Sequence, residues 1–281
     1  MRILHYSLGF PPYRSGGMTK FCMDLMKEQY KEGHTVALMW PGQMGANGKE
    51  LSVHDRGPDK LSGIHSFEVI NPLPVSYDEG IADFQAFMKD DRSQVFEEML
   101  EGYQPDVVHI HTLMGLHKSF LKTVKGCGIR LVFTAHDFFP ICPKVTMFRH
   151  GMICESIESC KECGVCNATA LGMNKIKILQ SPLYRTLKDS PIVKKMRRQH
   201  RDRYLSESTA DDSASPVGTV EDFKSLRHYY GSMLSLMDMI HFNSTVTKNA
   251  YERIFKLLDN CVIPISHSDV ADYRCKRRFS T

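Results

Sequence analysis

No stretch of these 281 residues approaches the roughly 18 consecutive apolar residues needed to cross a bilayer, which excludes a helical membrane span. A secretory leader is also missing. Met1-Arg2-Ile3-Leu4-His5 runs straight into a strand pattern, with no apolar core and small-residue cleavage site behind it, so a cytoplasmic protein is expected. Neither Gly-x-Gly-x-x-Gly nor the P-loop pattern occurs, so the glycine loop at Ser15-Gly16-Gly17 cannot by itself be read as a nucleotide site. The net charge is only +4, and neither aromatic interleaving nor a recognition motif accompanies it, which argues against a nucleic-acid partner. Cysteines number nine, odd and unevenly spaced. They do not form a secreted disulfide framework and read better as thiols plus a metal cluster in a reducing compartment.

What is present is a regular alternation of strand and helix patterns. Arg2–Leu8 is a short apolar run closed by Gly9-Phe10-Pro11-Pro12, and a helix follows with Phe21, Cys22, Leu25 and Met26 on one face. Gly33 ends it, and Thr35–Met39 is the next strand. Gly42–Gly63 reads as loop, Phe67–Ile70 as strand, and Phe84–Leu100 as one long helix. Asp106–His111 is a strand, Leu113–Lys125 a helix, and Leu131–Ala135 a strand. After a looser middle, Phe223–Met237 reads as helix, Met239–Phe242 as strand, then a helix capped by Ser244 with Ala250, Tyr251, Ile254, Phe255 and Leu258 on its buried face, and Cys261–Ile265 as the last strand. Such alternation predicts an α/β fold, a doubly wound, mostly parallel Rossmann-like sheet over residues 1–265. It would carry a Cys-rich insertion at 142–166 and a mobile polar loop at 206–218, with 266–281 as the start of a linker.

The most readable chemistry lies between Leu131 and Cys166. A buried strand there delivers His136 and Asp137 to its C-terminal end, where open α/β sheets build their sites. A histidine so placed can hydrogen-bond a hydroxyl through its neutral ring; the bland alternative is a ring satisfied by backbone. Asp137 would either orient that ring or cap the following turn. His111 ends the preceding strand and should face the same crevice. His109, on the same side but deeper, is expected to be structural, and His5 and Tyr6 are similarly placed on the first strand. Cys142, Cys154, Cys160, Cys163 and Cys166 follow, the last three as Cys-x-x-Cys-x-x-Cys. That spacing suits a tetrahedral structural zinc held by Cys154, Cys160, Cys163 and Cys166, with Cys142 as the alternative ligand. An iron–sulfur cluster or, in an oxidised sample, disulfides are the other readings.

Several short motifs agree with one family. Pro11-Pro12 with Ser15-Gly16-Gly17-Met18, Glu32-Gly33-His34-Thr35-Val36, Pro105 through His111, Phe133-Thr134-Ala135-His136-Asp137, Asn243-Ser244 and Val262 through His267 occur in the order and spacing of a known domain. The chain resembles the N-terminal domain of the retaining, family 4 glycosyltransferases of GT-B architecture. The resemblance implies an enzyme that moves a sugar from a nucleotide-sugar donor to a glycan or lipid-linked acceptor, as in surface polysaccharide synthesis, with no catalytic metal. It assigns His136 and Asp137 to the catalytic site, and Gly16, Gly17 and His111 to donor or acceptor binding. The family's C-terminal donor-binding domain, with its glutamate pair, has no counterpart in these residues, so the chain alone is expected to be inactive. The basic run Lys194–Arg203, with Lys175 and Lys177, is either a solvated helix face or a contact for anionic lipid at the inner face of a membrane. A non-catalytic Rossmann-like partner domain stapled by zinc is the competing reading.

Overall fold

The computed structural model describes residues 1–268 apart from 12–13, 46–49, 61, 77–78, 91–92, 150–151, 189, 192, 197, 200–214, 258 and 267. Its centre is an eight-stranded sheet in the order β10-β9-β6-β5-β1-β2-β4-β3. The strands are β1 (Arg2–Tyr6), β2 (Thr35–Pro41), β3 (Ser52–Pro58), β4 (His65–Ile70), β5 (Val107–Ile110), β6 (Arg130–Ala135), β9 (Met239–Phe242) and β10 (Asn260–Val262). Every pairing is parallel except that of β3 with β4. In the central strand β6, Leu131, Phe133 and Ala135 are buried on one face and Thr134 on the other, as in a sheet covered on both faces. The expected mostly parallel α/β fold is therefore present.

Chain order reverses at β1. The path β1, α1 (Gly17–Lys31), β2 moves to one side, and β5 and β6 fill the other. The carboxyl ends of β1 and β5 thus flank a topological switch point, where open α/β sheets hold their ligands. Helix α1 ends as the sequence predicts. Gly33 takes φ +83°, a left-handed turn that an L side chain resists, and the His34 amide closes back on the Gln29 carbonyl at 3.0 Å.

Three expectations need correction. Phe84–Leu100 is two helices, α2 (Phe84–Phe87) and α3 (Gln94–Tyr103). The intervening Asp90 carboxylate instead accepts the Ser119 amide, 3.1 Å, in the first turn of α4 (Lys118–Gly126), and binds Lys122 at 2.9 Å, while Ser93 starts α3. The Gly42–Gly63 segment contains β3, which its polar composition hid. It is an edge strand, largely solvent-facing, whose register with β4 shifts between Asp55 and Gly57. The last strand stops at Val262, two residues before Pro264, which has no amide hydrogen for a ladder.

Between β6 and β9 the chain forms a small hairpin, β7 (Phe148–Arg149) with β8 (Met152–Ile153), and then α5 (Cys163–Cys166), α6 (Met173–Leu179) and α7 (Pro182–Leu187). Helix α8 (Val220–Leu234) returns to the core behind a capping box in which Thr219 and Asp222 satisfy each other's amides. Helix α9 (Thr245–Glu252) follows β9 and is capped by Ser244. Most of the loop predicted at 206–218, the basic positions Arg197, Arg201 and Arg203, Cys275 and nearly all of 266–281 lie outside the described residues.

Candidate functional site

Parallel registry decides which side chains meet. His5 of β1 stands level with His109 of β5, His109 with Val132 of β6, and Thr134 of β6 with His241 of β9. Since side chains alternate along a strand, His5, His109, His111, Thr134, His136 and His241 all fall on one face, the face over which α1 packs. A row of imidazoles results. His109 and His111 stack at 4.2 Å between centroids, and His5–His111 and His111–His136 each stand at 5.3 Å. Phe21 of α1 closes on His136 at 5.1 Å and on His111 at 6.1 Å.

The row is hydrogen-bonded in two chains. In the first, Gln29 Oε1 meets His5 Nε2 at 2.7 Å, His5 Nδ1 meets His111 Nε2 at 3.0 Å, and His111 Nδ1 meets His136 Nε2 at 3.1 Å. In the second, His109 Nε2 meets Thr134 Oγ1 at 2.7 Å, Thr134 Oγ1 meets His241 Nδ1 at 3.1 Å, and His241 Nε2 meets the Ile263 carbonyl at 2.7 Å. A carbonyl only accepts, so His241 donates through Nε2, Thr134 donates to His241, and His109 donates to Thr134. Burial removes the water that would stabilise an imidazolium. It pushes His5 and His136 down to about 4, and His109 and His111 well below the ordinary histidine range, so these four rings are neutral at pH 7.

His136, predicted as catalytic, sits half-buried at the carboxyl end of β6, and its Nδ1 is buried with no hydrogen-bond partner among the described residues. Asp137 does not bond the ring there. Its Oδ1 accepts the Phe139 amide at 3.0 Å and its carbonyl accepts the Tyr251 hydroxyl at 2.9 Å, so it caps the turn. Burial raises its carboxyl to about 6. His111 is fully buried between His5 and His136 and reaches the crevice only through His136. Gly16 takes φ +119° as the residue before α1, a conformation that favours glycine, and Gly17 opens the helix with no neighbour within 4 Å of a would-be Cβ. The N-cap, Gly16, has no side chain to cap α1, whose first turn begins at the same end of the sheet, one turn from Phe21.

The cysteines are held differently. Arg227 of α8 is buried and donates to the carbonyls of Ile141 (2.8 Å) and Ile157, to Cys160 Sγ at 2.7 Å and to Cys163 Sγ at 3.5 Å. The Cys163 thiol, with help from Arg227, draws Cys160 down to about 6, and Cys163 moves up. In a closed zinc–thiolate tetrahedron at about 2.3 Å per bond, sulfurs stand roughly 3.8 Å apart. Among the described residues, the group of three potential ligands within 4.8 Å of one another is His5, Cys22 and His111, and no three sulfurs of Cys142, Cys154, Cys160, Cys163 and Cys166 meet that spacing. All eight described cysteines are unbridged.

Gln29, Thr134, His241 and Arg227 were not singled out as site residues from the sequence. Thr134 and His241 had a signal: His-x-His in β5, Thr-x-His across the end of β6 and a lone histidine in β9 share one strand face, whereas Gln29 on α1 had none. Arg227 had none, since it lies 61 positions beyond the last clustered cysteine.

A family model described as Glycosyltransferase Family 4 matches residues 15–153. Among solved structures the chain is similar to the catalytic domain of starch synthase IV from Arabidopsis thaliana bound to ADP and acarbose, at 16% identity and TM-score 0.31, over 49% of this chain and 34% of that one. It is similar to the E. coli trehalose-6-phosphate structure bound with UDP-2-fluoro glucose, at 13% identity and TM-score 0.41, over 94% and 49%. A third likeness is to the Bordetella bronchiseptica enzyme WbmG in complex with NAD, at 12% identity and TM-score 0.26, over 96% and 86%. The chain spans about a third of the first and about half of the second. No curated protein matches it. Superpositions this loose leave the family match and the geometry of the crevice as the ground for a functional reading.

Proposed function

We propose, from the premise that the chain carries a glycosyltransferase family 4 domain across residues 15–153, that it is the acceptor-side half of a retaining sugar transferase. The donor is a nucleotide-sugar and the acceptor a glycan or lipid-linked glycan of surface polysaccharide. The observation that carries this reading is His136. It is a neutral imidazole with a buried, unpartnered ring nitrogen, held at the carboxyl end of β6 beside the topological switch point and near the start of α1, whose N-cap is a glycine. Neutral, it takes a hydrogen bond from a sugar hydroxyl. The first amides of α1, reached past the bare backbone of Gly16 and Gly17, suit an anionic phosphate of the donor. Asp137 shapes the turn that presents His136. A second half contributing the donor's nucleotide pocket completes the crevice, and the isolated chain is inactive.

Two further parts belong to this reading. The donor set of the insertion fits a structural zinc in kind. It has five thiols within 25 positions and a buried guanidinium as counter-charge, while burial pushes the Cys142 thiol up to about 11 against the pull of the Met147 and Lys144 amides. Cys154, Cys160, Cys163 and Cys166, with Cys142 as alternative, would hold it as a brace for the loop behind His136. Protein purified without chelator should carry near one equivalent of zinc, and less than about a tenth would sink that part. The second part is a peripheral membrane contact. Helices α6 and α7 expose Ile178 (62%), Leu183 (68%) and Leu187, with Lys175 and Lys177 beside them, although no helix is long and apolar enough to cross a bilayer.

The test is transfer. The chain, alone and in a polypeptide that carries it together with a donor-binding half, is incubated with labelled UDP-, GDP- and ADP-sugars and membrane lipid extract. The joined form should yield a product that keeps the donor's anomeric configuration, and the chain alone none. No transfer or hydrolysis by the joined form with any donor overturns the enzyme reading.

A further inference from the structure

The first hydrogen-bonded chain has a property the second lacks: its last atom is unpaired. We propose that Gln29, His5 and His111 are positioning residues that fix the tautomer of His136, so that its buried, unpartnered Nδ1 carries the lone pair and is kept as a hydrogen-bond acceptor for substrate. This rests on the transferase reading for the identity of the substrate hydroxyl, though not for the tautomer itself.

The direction follows from counting protons. A neutral imidazole carries one N–H and one lone pair, so each ring in an uninterrupted chain passes on the polarity it receives. Gln29 presents its carbonyl oxygen, Oε1, to His5 Nε2 at 2.7 Å, and an amide oxygen only accepts. His5 therefore donates through Nε2 and keeps a lone pair on Nδ1. His111 Nε2, 3.0 Å away, donates to it. His111 Nδ1 is then a lone pair, and His136 Nε2, at 3.1 Å, donates in turn. His136 is left with its lone pair on Nδ1, the atom without a partner among the described residues. The polarity set at residue 29 is expressed at residue 136, three hydrogen bonds away.

Two features keep the chain whole. Every ring must be neutral, because an imidazolium would donate from both nitrogens and break the sequence; His5 and His111 are sealed from water at 0% and 1% exposure. Every ring must also keep its orientation. His5 and His111 belong to paired, adjacent strands, His109 stacks on His111, and Phe21 lies against His111 and His136. The proximity of His5, Cys22 and His111 is compatible with this: two nitrogens 3.0 Å apart share one proton, and burial keeps the Cys22 thiol protonated, pushed up to about 12.

The consequence is chemical selectivity. An acceptor nitrogen takes a hydroxyl and repels the oxygens of a phosphate or carboxylate, so His136 reads the hydroxyl side of the substrate and leaves the donor's phosphates to the start of α1. Reversing the chain would place a proton on Nδ1, so the hydroxyl could only accept from it and its own proton would lose this acceptor. A loss of about tenfold in kcat/KM for the acceptor is expected, the worth of roughly 1.4 kcal/mol.

The experiment is side-chain NMR on the full chain labelled with nitrogen-15 histidine, with the His136 signals assigned by a His136→Asn variant. The wild type should show Nε2-protonated, Nδ1-bare rings for His5, His111 and His136. It should also show nitrogen–nitrogen couplings across the His5–His111 and His111–His136 hydrogen bonds. Gln29→Glu, which can only accept, should leave all three rings unchanged. Gln29→Lys, which can only donate when charged, should move the proton to Nδ1 in all three together. Absence of the couplings, a wild-type His136 protonated at Nδ1, or a folded Gln29→Lys protein in which either His5 or His136 keeps its wild-type tautomer overturns the proposal. None of these readouts depends on sugar transfer, so failure of the transferase reading would be seen separately.

Discussion

Acidification should unfold this domain through its histidine row, and the size of the effect follows from the geometry. Burial holds His5 and His136 down at about 4 in the folded chain and His109 and His111 well below their ordinary range, against 6.5 when exposed. Below 6.5 the unfolded chain binds protons that the folded chain refuses, so stability is full above that pH and is lost as pH falls toward 4. Asp137 acts in the opposite sense. Its folded value of about 6 lies above the 3.8 of an exposed carboxyl, so the folded chain gains one proton in the same window and offsets one histidine. His5 and His136 less the one carboxyl leave roughly one proton, or about 1 kcal/mol per pH unit around pH 5, and His109 and His111 add to it in the same direction. Between pH 7 and pH 5 these three groups alone remove about 2 kcal/mol, a large fraction of the stability of an ordinary domain. Urea unfolding followed by circular dichroism at half-unit steps from pH 7.5 to 5 measures this directly. The midpoint should slide steeply below pH 6.5, and a His111→Gln variant should show a shallower slope. A midpoint that holds constant from pH 7 to 5 would refute the claim that these rings are buried and neutral.

Other perturbations should behave as follows. Gly115 has φ +74°, and a methyl there would stand 2.7 Å from Pro41 and 3.2 Å from the Tyr6 hydroxyl. Gly115→Ala should therefore destabilise by about 2 kcal/mol in urea titration, whereas Gly102→Ala, in open space within α3, should stabilise by about 1 kcal/mol. Arg227→Met leaves two buried carbonyls without their donor and should cost about 3 kcal/mol, with protease cleavage within 142–166 appearing first. Co-sedimentation with vesicles containing phosphatidylserine should be seen at low salt, weaken as ionic strength rises, and fall in an Ile178→Ser, Leu183→Ser double variant.

Much of the fold was legible because the central strands are buried on both faces. Runs such as Leu131–Ala135 and Val107–Ile110 can only be strands of a covered parallel sheet, and Gly33 marks its helix end plainly. The edge strand β3 escaped because an edge needs no apolar alternation; Ser52–Pro58 is held by its pairing to β4. The break between α2 and α3 escaped because Asp90 serves a helix 28 residues further on. At the site, the positions of His136 and His111 could be read from strand ends, whereas their coupling could not. It depends on parallel registry, which sets His5 level with His109, and on the facing of Gln29 from a helix. Asp137 could have oriented the ring or capped the turn, and only the Phe139 and Tyr251 contacts decide for the turn. The cysteines announced themselves by spacing, but the arginine that holds two of them comes from another helix.

The account rests most heavily on His136 meeting the substrate, and one kinetic comparison tests it most directly. In the polypeptide that joins this chain to its donor-binding half, kcat/KM for sugar transfer is measured for the wild type and for His136→Ala, with folding checked by the urea midpoint. A fall of about a hundredfold or more is predicted, the order found when one preorganised hydrogen-bonding group is removed from an active site. Transfer within a factor of about two of wild type, less than the loss of a single hydrogen bond, would contradict the account.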